Sequence, residues 1–414
     1  MNKVGQSIID SYFEVRDNTL FAGGESIIDL ANKRSTPLYL YDAGVLKQKL
    51  DTIRTNLPFC DIFYSVKANP HNDVIAFFVN NGCGTEIASP GEFEKSIAAG
   101  CDPAKIIYAG PGKRTIDLRT TIEKGIAEIH LESFSEITRC NEAAKQLNRN
   151  QPVSIRINPS NQFQTGAIQM GGKPIAFGFD EEMLNEAVQA IMKCANLKLS
   201  GLHIYAGTQI LDSVSLAKLY AHALELCESI LINHGLLLST LDLGGGFGIP
   251  YYEDEKPLDL ADLGQALKRE RQKLIDREKA FSNLKIILEP GRFLTAESGM
   301  YITSIVAVKQ SRGKHFAICD GGMNHNLAAS GNLGQIIKRN FPFACANKIS
   351  MPEEISYEIC GPLCTPLDCI GRNVKMPKLE EGDLLVLFNA GAYGLSASPT
   401  GFLSHALPQE VLIG

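Results

Sequence analysis

The chain has 414 residues, of which 44% are hydrophobic and 21% charged, and its formal net charge of −6 is spread without blocks of like sign. The opening stretch "MNKVGQSIIDSYF" lacks the apolar core of a secretory signal, and no run of about 18 apolar residues occurs anywhere. We therefore predict a cytoplasmic protein that binds no nucleic acid and does not cross a membrane.

The first 36 or so residues contain "YFEVRDNTLFAGG", which predicts a strand that joins a later β-domain. From residue 37 to 295, short apolar runs alternate with longer helical patterns, which is typical of βα units and a parallel sheet. The runs are PLYLYD, IFYSVKAN, GTEIAS, IIYAG, EIHLES, VSIRINP, LSGLHIYAG, STLDLGGGFG and LKIILEPGR. Eight or so units predict a (β/α)8 barrel over residues 37–295.

From residue 296 to 414 the strands follow one another without long helices between them, as in "MYITSIVAVKQ", "KHFAICDGG" and "DLLVLFNAGAYG". This pattern predicts a separate, mostly antiparallel β-domain. The eleven cysteines are dispersed along the chain, which favours reduced thiols over disulfides. Cys360, Cys364 and Cys369 lie close together but have no companion histidine, so we predict no metal site there.

Polar residues and glycines follow several of the apolar runs of the barrel region. Lys67 comes after such a run and before Asn69-Pro70, which cannot continue a strand. A lysine at this place either reaches water through its long stem or has a chemical use. Glu86, His203, the glycines at 244–246 and the stretch 289–292 also follow apolar runs. In a barrel, the carboxyl ends of the strands form the active-site face.

Each of these features has a structural and a functional interpretation. The glycines at 244–246 form either a tight turn or a backbone cradle for a phosphate. Arg292 after Gly291 makes either a surface ion pair or an anion ligand. His203, close to Thr208, is either a satisfied core histidine or a ring that stacks on a flat cofactor. Together, a strand-end lysine, a glycine cradle, a glutamate and a histidine match the needs of pyridoxal 5′-phosphate.

The motifs "YSVKANP", "GLHIYAGTQ", "DLGGGFGIPY", "EPGR", "CGPLC" and "GAYG", in this order, resemble the fold-type III decarboxylases that use pyridoxal 5′-phosphate, the group of diaminopimelate, ornithine and arginine decarboxylases. The resemblance runs from about residue 36 onward and implies an alanine racemase-like fold. It implies that Lys67 holds the cofactor as a Schiff base, Glu289 pairs with the pyridine nitrogen and His203 packs on the ring. The other cofactor ligands that we expect are Glu86, Thr208, Gly245, Gly246, Gly291, Arg292 and Tyr393; for the substrate we expect Arg292, Asp368 and Tyr393.

The resemblance also implies a homodimer with shared active sites, which lie between barrel and β-domain. Cys364 would come from the other subunit, so that the β-domain completes the partner's site. A thiol is largely protonated at neutral pH, so Cys364 is a plausible proton donor to the substrate Cα. A buried structural cysteine is the alternative.

The substrate region departs from the common pattern of the family. Thr365 stands where these enzymes usually carry an acid for a distal amine, and Ala328 and Asn332 stand where a diaminopimelate enzyme grips the distal carboxylate. Arg372 and Lys338 are alternative sources of positive charge. The segments "DGGMNHNLAASGNLGQ", "CGPLCTPLD" and "FLSHALPQEVL" resemble the subgroup of the butirosin-pathway decarboxylase, which acts on a glutamyl thioester of an acyl carrier protein. This favours a carrier-bound or otherwise modified substrate.

Three other functions stay open. The first is an ordinary diaminopimelate decarboxylase with divergent contacts. The second is an inactive regulator, which the retained Lys67, Glu289 and Cys364 disfavour. The third is a racemase, which we expect to carry an arginine at the pyridine nitrogen where this chain has Glu289.

Overall fold

The computed structural model describes residues 2–160, 168–169, 174–205, 207–333, 335 and 338–414. The chain divides into two compact units. One unit consists of residues 51–248 and 257–291, and the other consists of residues 1–50, 249–256 and 292–414. Within the described residues, no helix is both long enough and apolar enough to span a membrane.

The α-helices are α1 (Lys3–Tyr12), α2 (Ile27–Arg34), α3 (Ala43–Asn56), α4 (Asn72–Asn80), α5 (Pro90–Ala98), α6 (Thr115–Glu123), α7 (Phe134–Gln146), α8 (Leu184–Met192), α9 (Ser213–His234), α10 (Leu260–Arg277) and α11 (Arg292–Thr295). Short 3-10 helices lie at Val66–Ala68, Pro103–Lys105, Glu181–Met183, Lys279–Asn283, Ala296–Ser298, Leu395–Ala397 and Phe402–Ser404. The β-strands are β1 (Glu14–Arg16), β2 (Thr19–Ala22), β3 (Glu25–Ser26), β4 (Leu38–Asp42), β5 (Cys60–Ser65), β6 (Gly84–Ile87), β7 (Ile106–Tyr108), β8 (Glu128–Leu131), β9 (Gln151–Asn158), β10 (Ile168–Gln169), β11 (Phe179–Asp180), β12 (Leu197–Ile204), β13 (Gly207–Thr208), β14 (Thr240–Asp242), β15 (Lys285–Leu288), β16 (Gly299–Ser311), β17 (Lys314–Cys319), β18 (Phe343–Cys345), β19 (Ile355–Cys360), β20 (Cys369–Met376), β21 (Leu384–Leu387) and β22 (Gln409–Ile413).

Eight parallel strands close into a barrel in the first of these units. Their order around the ring is β5, β6, β7, β8, β9, β12, β14 and β15, and β15 pairs again with β5. Strands β6, β7 and β8 are buried along their whole length, as expected for parallel strands whose outer face helices cover. The predicted (β/α)8 barrel is confirmed, and each of its strands coincides with an apolar run of the sequence.

The helices of the barrel begin and end at residues that suit those positions. The longest, α9, follows Asp212, whose side chain accepts the N–H of Ser215, and it ends at Gly235 in the left-handed conformation. Helix α5 follows Ser89, which accepts the N–H of Glu92, and has Pro90 at its first position. These residues determine where the helices begin and end, between one barrel strand and the next.

The β-domain of the other unit is organised around the long strand β16. Strand β16 pairs antiparallel with β4, β17 and β21, while β17 with β19 and β4 with β22 are parallel pairs. The prediction of a mostly antiparallel domain is therefore confirmed. The assignment of Leu38–Asp42 to the barrel is wrong, because this strand lies in the β-domain sheet. All five of its residues are buried, so its sequence suits either sheet equally well.

The N-terminal residues form a small antiparallel sheet of β1, β2 and β3. The N–H of Leu20 donates to the carbonyl oxygen of Ala346 at 2.9 Å. Leu20 and Ile27 belong to the same apolar core as Met300 and Phe388 of the β-domain. Residues 2–36 therefore contain a sheet of their own, and they pack with the β-domain through apolar side chains and the hydrogen bond of Leu20.

Candidate active site

Lys67 lies just beyond the carboxyl end of β5, in the 3-10 turn Val66–Ala68. Its Nζ donates to the two carboxylate oxygens of Glu86, at 2.8 and 3.0 Å. The Glu86 side chain is fully buried, whereas 42% of the Lys67 side chain is exposed. The structure thus fixes a reachable amine at a strand end with a buried carboxylate beside it.

Gly245 and Gly246 follow β14 at positions where a side chain does not fit. A Cβ at Gly245 would lie 2.3 Å from the carbonyl oxygen of Glu289. A Cβ at Gly246, whose φ is +88°, would lie 2.6 Å from the carbonyl oxygen of Gly207, the neighbour of Thr208. Close backbone approach at a strand end lets N–H groups contact an anion such as a phosphate. Close packing against Glu289 and Gly207 therefore requires glycine at both positions, and the phosphate cradle stays a prediction.

Gly291 lies against the strand end that carries Lys67. A Cβ at Gly291 would lie 2.8 Å from the Cβ of Ala68 and 3.2 Å from that of Ser65. The contact explains why no larger residue follows Pro290, since a side chain would push the lysine turn away. The barrel unit thus brings together Lys67, Glu86, His203, Thr208, Gly245, Gly246, Glu289 and Gly291 at the carboxyl ends of its strands.

His203 and Glu289 form a buried pair inside the barrel. The Nε2 of His203 lies 3.5 Å from Glu289 Oε2, and their side chains are 1% and 3% exposed. Burial lowers the pKa of His203 to about 4, so its imidazole is neutral at neutral pH. Burial alone would raise the pKa of Glu289, but its contacts with His203 and His130 and the charge of Lys67 hold it below its usual range. Glu289 is therefore ionised.

Asp242 and His130 complete this group, and neither was predicted from the sequence. His130 Nε2 lies 3.7 Å from Asp242 Oδ2, and its Nδ1 lies 3.9 Å from Glu289 Oε1. Burial and the negative charge of Glu289 raise the pKa of Asp242 well above its usual range. Asp242 therefore keeps its proton while Glu289 is charged.

These four side chains, which we call the His-acid cluster, have unused hydrogen-bonding capacity. They are His130, His203, Asp242 and Glu289, and their possible ligand atoms lie within 4.8 Å of one another. Both nitrogens of each imidazole, Asp242 Oδ2 and Glu289 Oε1 make no hydrogen bond to the described residues. The donor set suits a flat heteroaromatic group with a ring nitrogen, and it would also suit a divalent cation.

A second buried network, also missed from the sequence, ties neighbouring barrel strands together. Lys113 donates at 2.6 Å to Glu136 Oε1 and to the carbonyl oxygens of Gly110 and His130. Glu132, at the end of β8, accepts from Arg156 of β9 at 2.9 Å. Because the buried charges of this network are paired with one another, we infer that the network has a structural role and holds the strand ends in place.

In the β-domain unit, Arg292 lies beside Tyr393. The guanidinium carbon of Arg292 lies 4.8 Å from the centre of the Tyr393 ring, and Nη1 donates to Tyr251 at 2.8 Å. Tyr251 was not predicted, although "GGGFGIPYY" contains it. Two aromatic side chains thus orient one half-buried guanidinium group.

Cys364 and Asp368 lie in the loop 361–368, between β19 and β20. Cys364 is exposed, so the alternative of a buried structural cysteine does not describe this chain. Asp368 accepts the N–H of Met323 at 2.7 Å and that of Leu363 at 2.8 Å. These bonds hold the loop backbone, and the substrate contact expected of Asp368 stays a prediction.

The positions that depart from the family pattern carry no acid. Thr365 follows Cys364 directly, and Ala328 is half-buried. Asn332, however, accepts a hydrogen bond from Lys338 Nζ at 2.8 Å. A cation therefore lies beside Asn332, as the sequence allowed. The N–H of Arg372 donates to Asn340.

The chain is similar to known proteins along most of its length. The family described as pyridoxal-dependent decarboxylase, pyridoxal binding domain, matches residues 43–296. The chain is 37% identical over 390 residues to the L-glutamyl-[BtrI acyl-carrier protein] decarboxylase of Niallia circulans, covering 93% of this chain and 90% of the relative. It is 32% identical over 391 residues to the diaminopimelate decarboxylase of Aquifex aeolicus, covering 94% and 89%. The crystal structure of the M. jannaschii diaminopimelate decarboxylase with L-lysine superposes with a TM-score of 0.89 at 27% identity, covering 97% and 92%.

Proposed function

The chain belongs to the fold-type III pyridoxal-dependent decarboxylases, which makes it a carboxy-lyase, and we propose that its substrate is a glutamyl group carried as a thioester on an acyl carrier protein. The observation that carries this proposal is the 37% identity to a glutamyl-carrier decarboxylase together with the absence of an acid at Thr365. We place the reaction in the cytoplasm, in keeping with the free thiols of the cysteines.

We propose pyridoxal 5′-phosphate as the cofactor because the barrel side chains fit its functional groups. Lys67 supplies an accessible amine for the aldehyde, and backbone N–H groups of the glycine turn at Gly245 and Gly246 would hold the phosphate. Glu289, ionised and with an unused oxygen, would hold a proton at the pyridine nitrogen, and neutral His203 would pack on the ring. When bound, pyridoxal 5′-phosphate supplies a sink for the electron pair that the departing CO2 leaves behind.

The His-acid cluster explains how Glu289 can remain charged inside the barrel. Asp242 keeps its proton and so adds no second negative charge next to Glu289. The chain therefore presents one carboxylate to the ring nitrogen, which favours the protonated ring that decarboxylation needs.

The β-domain unit supplies a guanidinium group and a thiol. Arg292, oriented by Tyr251 and Tyr393, is suited to bind a carboxylate or phosphate. Cys364 is exposed on its loop and is suited to deliver a proton to the substrate Cα after CO2 has left. We propose that the enzyme is a homodimer in which Cys364 serves the partner subunit's site.

The substrate preference follows from the charges that the chain offers to the distal end. A buried amine or carboxylate without a partner costs several kcal/mol, on the order of 3–5, so a pocket for free diaminopimelate must pair both. Thr365 offers no negative charge for a distal amine. Lys338, held by Asn332 at 2.8 Å, offers a positive charge that suits the phosphate of a pantetheine arm.

The test measures CO2 release from a glutamyl-carrier thioester and compares it with the release from free glutamate, meso-diaminopimelate, lysine and ornithine, each assayed separately. We expect turnover of the thioester at a rate at least tenfold above that of each free amino acid. The Thr365→Asp variant supplies the missing acid and should raise turnover of the free basic amino acids. Efficient use of meso-diaminopimelate by the natural chain, without preference for the thioester, would establish the diaminopimelate decarboxylase alternative.

That alternative has its own support in the relatives and in the position of Lys338. Several curated relatives and solved structures carry the name diaminopimelate decarboxylase. Lys338 would suit the distal carboxylate of diaminopimelate as well as a phosphate. Lys338→Ala should weaken binding of the true substrate in either case, so the substrate panel, and not this variant, separates the two functions.

A further inference from the structure

Two cysteines face each other at the neck of the loop that carries Cys364. Cys360 ends β19 and Cys369 begins β20, and the two residues are direct partners in the antiparallel pairing of these strands. Just inside this pair, the N–H of Gly361 donates to the carbonyl oxygen of Asp368 at 3.2 Å. The neck of the loop 361–368 is therefore closed by one backbone bond and flanked by two thiols.

The two opposed thiols influence each other. The neighbouring Cys369 raises the pKa of Cys360, and the neighbouring Cys360 lowers that of Cys369. Cys369 Sγ lies 3.3 Å from the carbonyl oxygen of Gly371 and 3.7 Å from Glu358 Oε2. Cys360 is half-buried, so a small molecule can reach the pair from its side.

The spacing of opposed strand residues suits a disulfide. Directly opposed residues of an antiparallel pair have Cα atoms about 4.5–5.5 Å apart, and disulfides join Cα atoms about 4.4–6.8 Å apart. Cys369 is also buried, but its neighbour Cys360 lowers its pKa, whereas burial raises the pKa of Cys140, Cys227 and Cys319. Such thiols are inert.

We propose that Cys360 and Cys369 are a redox-sensitive pair which a hydroperoxide converts reversibly into a cross-strand disulfide at the neck of the loop carrying Cys364. The sulfur of Cys369 attacks the peroxide, the O–O bond breaks, and a sulfenic acid and water (or an alcohol) form. The sulfur of Cys360 then displaces the hydroxyl group from Cys369, and water leaves with the thiol proton. The two thiols lose two electrons, which the peroxide accepts, and a dithiol reductant restores them.

The disulfide affects the loop 361–368, which carries Cys364, through Asp368. Asp368 directly precedes Cys369 and holds the backbone of Met323 and Leu363. A Cβ at Gly361 would lie 2.3 Å from Asp368 Oδ2 and 2.5 Å from the Cα of Gly322, so the neck has no free space. Movement of Cys369 toward Cys360 must shift Asp368, and we expect lower turnover in the oxidised enzyme.

Differential labelling of the full-length enzyme tests the pair. The enzyme is treated with hydrogen peroxide, unfolded with iodoacetamide, reduced, and labelled with N-ethylmaleimide. Trypsin releases all three cysteines in one peptide, residues 349–372. We expect iodoacetamide on Cys364 and N-ethylmaleimide on Cys360 and Cys369 together. Iodoacetamide on all three cysteines of peroxide-treated enzyme, or a second label that pairs Cys364 with one neighbour, would overturn the proposal.

Variants provide the matched controls. Cys360→Ser and Cys369→Ser should each abolish both the second label and the loss of turnover in peroxide. Cys194→Ser removes a half-buried thiol from another part of the fold and should leave both intact. The disulfide closes a loop of about ten residues in the unfolded chain, so the oxidised natural protein should melt a few degrees higher. Labelling of the natural chain decides the matter even where a variant fails to fold.

Discussion

Lys67 and Lys113 are two barrel lysines with opposite surroundings. The ammonium group of Lys113 donates to one carboxylate and two carbonyl oxygens, and the side chain is 1% exposed. Lys67 donates to Glu86 and keeps 42% of its side chain exposed. An amine that reacts with a carbonyl compound must be reachable and must be able to lose its proton. At the scale of single residues, Lys67 meets the first condition and Lys113 does not.

The first prediction follows from this difference. The purified enzyme is expected to be yellow, and borohydride should bleach the colour and fix the cofactor on Lys67. Lys67→Ala should be colourless, while Lys113 serves as an internal control that stays unlabelled. Mass spectrometry of the reduced peptides locates the label. A label on any lysine other than Lys67 would contradict the cofactor assignment.

Lys113 has a structural consequence of its own. Lys113→Met leaves the buried carboxylate of Glu136 without its cation, and breaking a buried pair from one side costs about 3–5 kcal/mol. Lys124→Met breaks an exposed pair with Glu94 and should cost less than about 1 kcal/mol. Urea unfolding of the two variants measures the difference. Equal effects would show that the Lys113 network contributes nothing beyond an exposed ion pair.

At the scale of elements, the candidate site lies at the strand ends of the barrel. The position of most of its residues could be predicted from the sequence. Lys67, Glu86, His203 and Glu289 each follow or end an apolar run, so their position is readable without a structure. His130 lies within a short strand that is buried throughout, and Asp242 lies at the buried end of another. Which of their residues point into the barrel depends on strand register and closure. An isolated histidine in such a strand cannot be told from an ordinary core residue, and Asp242 before three glycines was the one available signal.

The turn after β14 gives a prediction at this scale. Gly245→Ala places a Cβ 2.3 Å from the carbonyl oxygen of Glu289, a rigid backbone atom. We expect a lower melting temperature by several degrees and cofactor affinity at least tenfold weaker. Gly112→Ala is the control, because a Cβ there meets nothing within 4 Å. Cofactor titration and thermal melting check both variants, and unchanged affinity in Gly245→Ala would remove the turn from the cofactor site.

At the scale of the whole molecule, the proposed catalytic groups belong to different compact units. Lys67, Glu289 and the glycine turn belong to the barrel unit, whereas Arg292 and Cys364 belong to the β-domain unit. The sequence predicted both architectures, but the boundary differs, since residues 37–50, 249–256 and 292–295 belong to the β-domain unit. Short apolar segments contain no information about their pairing partners, which are determined by contacts distant in sequence.

The proposed dimer gives the prediction at this scale. When Lys67→Ala and Cys364→Ala chains are mixed, random pairing makes half of the dimers mixed, each with one intact site if sites are shared. We expect recovery of about a quarter of the natural activity. Native mass spectrometry verifies the exchange of subunits, and each variant alone is the control. No recovery after verified exchange would show that Lys67 and Cys364 act within one chain.

The pairing of strand β4 determines the order in which the two units can fold during translation. Its residues leave the ribosome early, but both of its neighbours in the sheet, β16 and β22, are translated much later, after the entire barrel. Until then "LYLYD" is an apolar segment with two unpaired edges, of the kind that aggregates or recruits chaperones. The barrel is complete by residue 291 and can fold during translation, whereas the β-domain can close only when residues 409–413 have emerged. Nascent chains arrested between these two points should therefore be the form of this enzyme most dependent on cellular folding assistance.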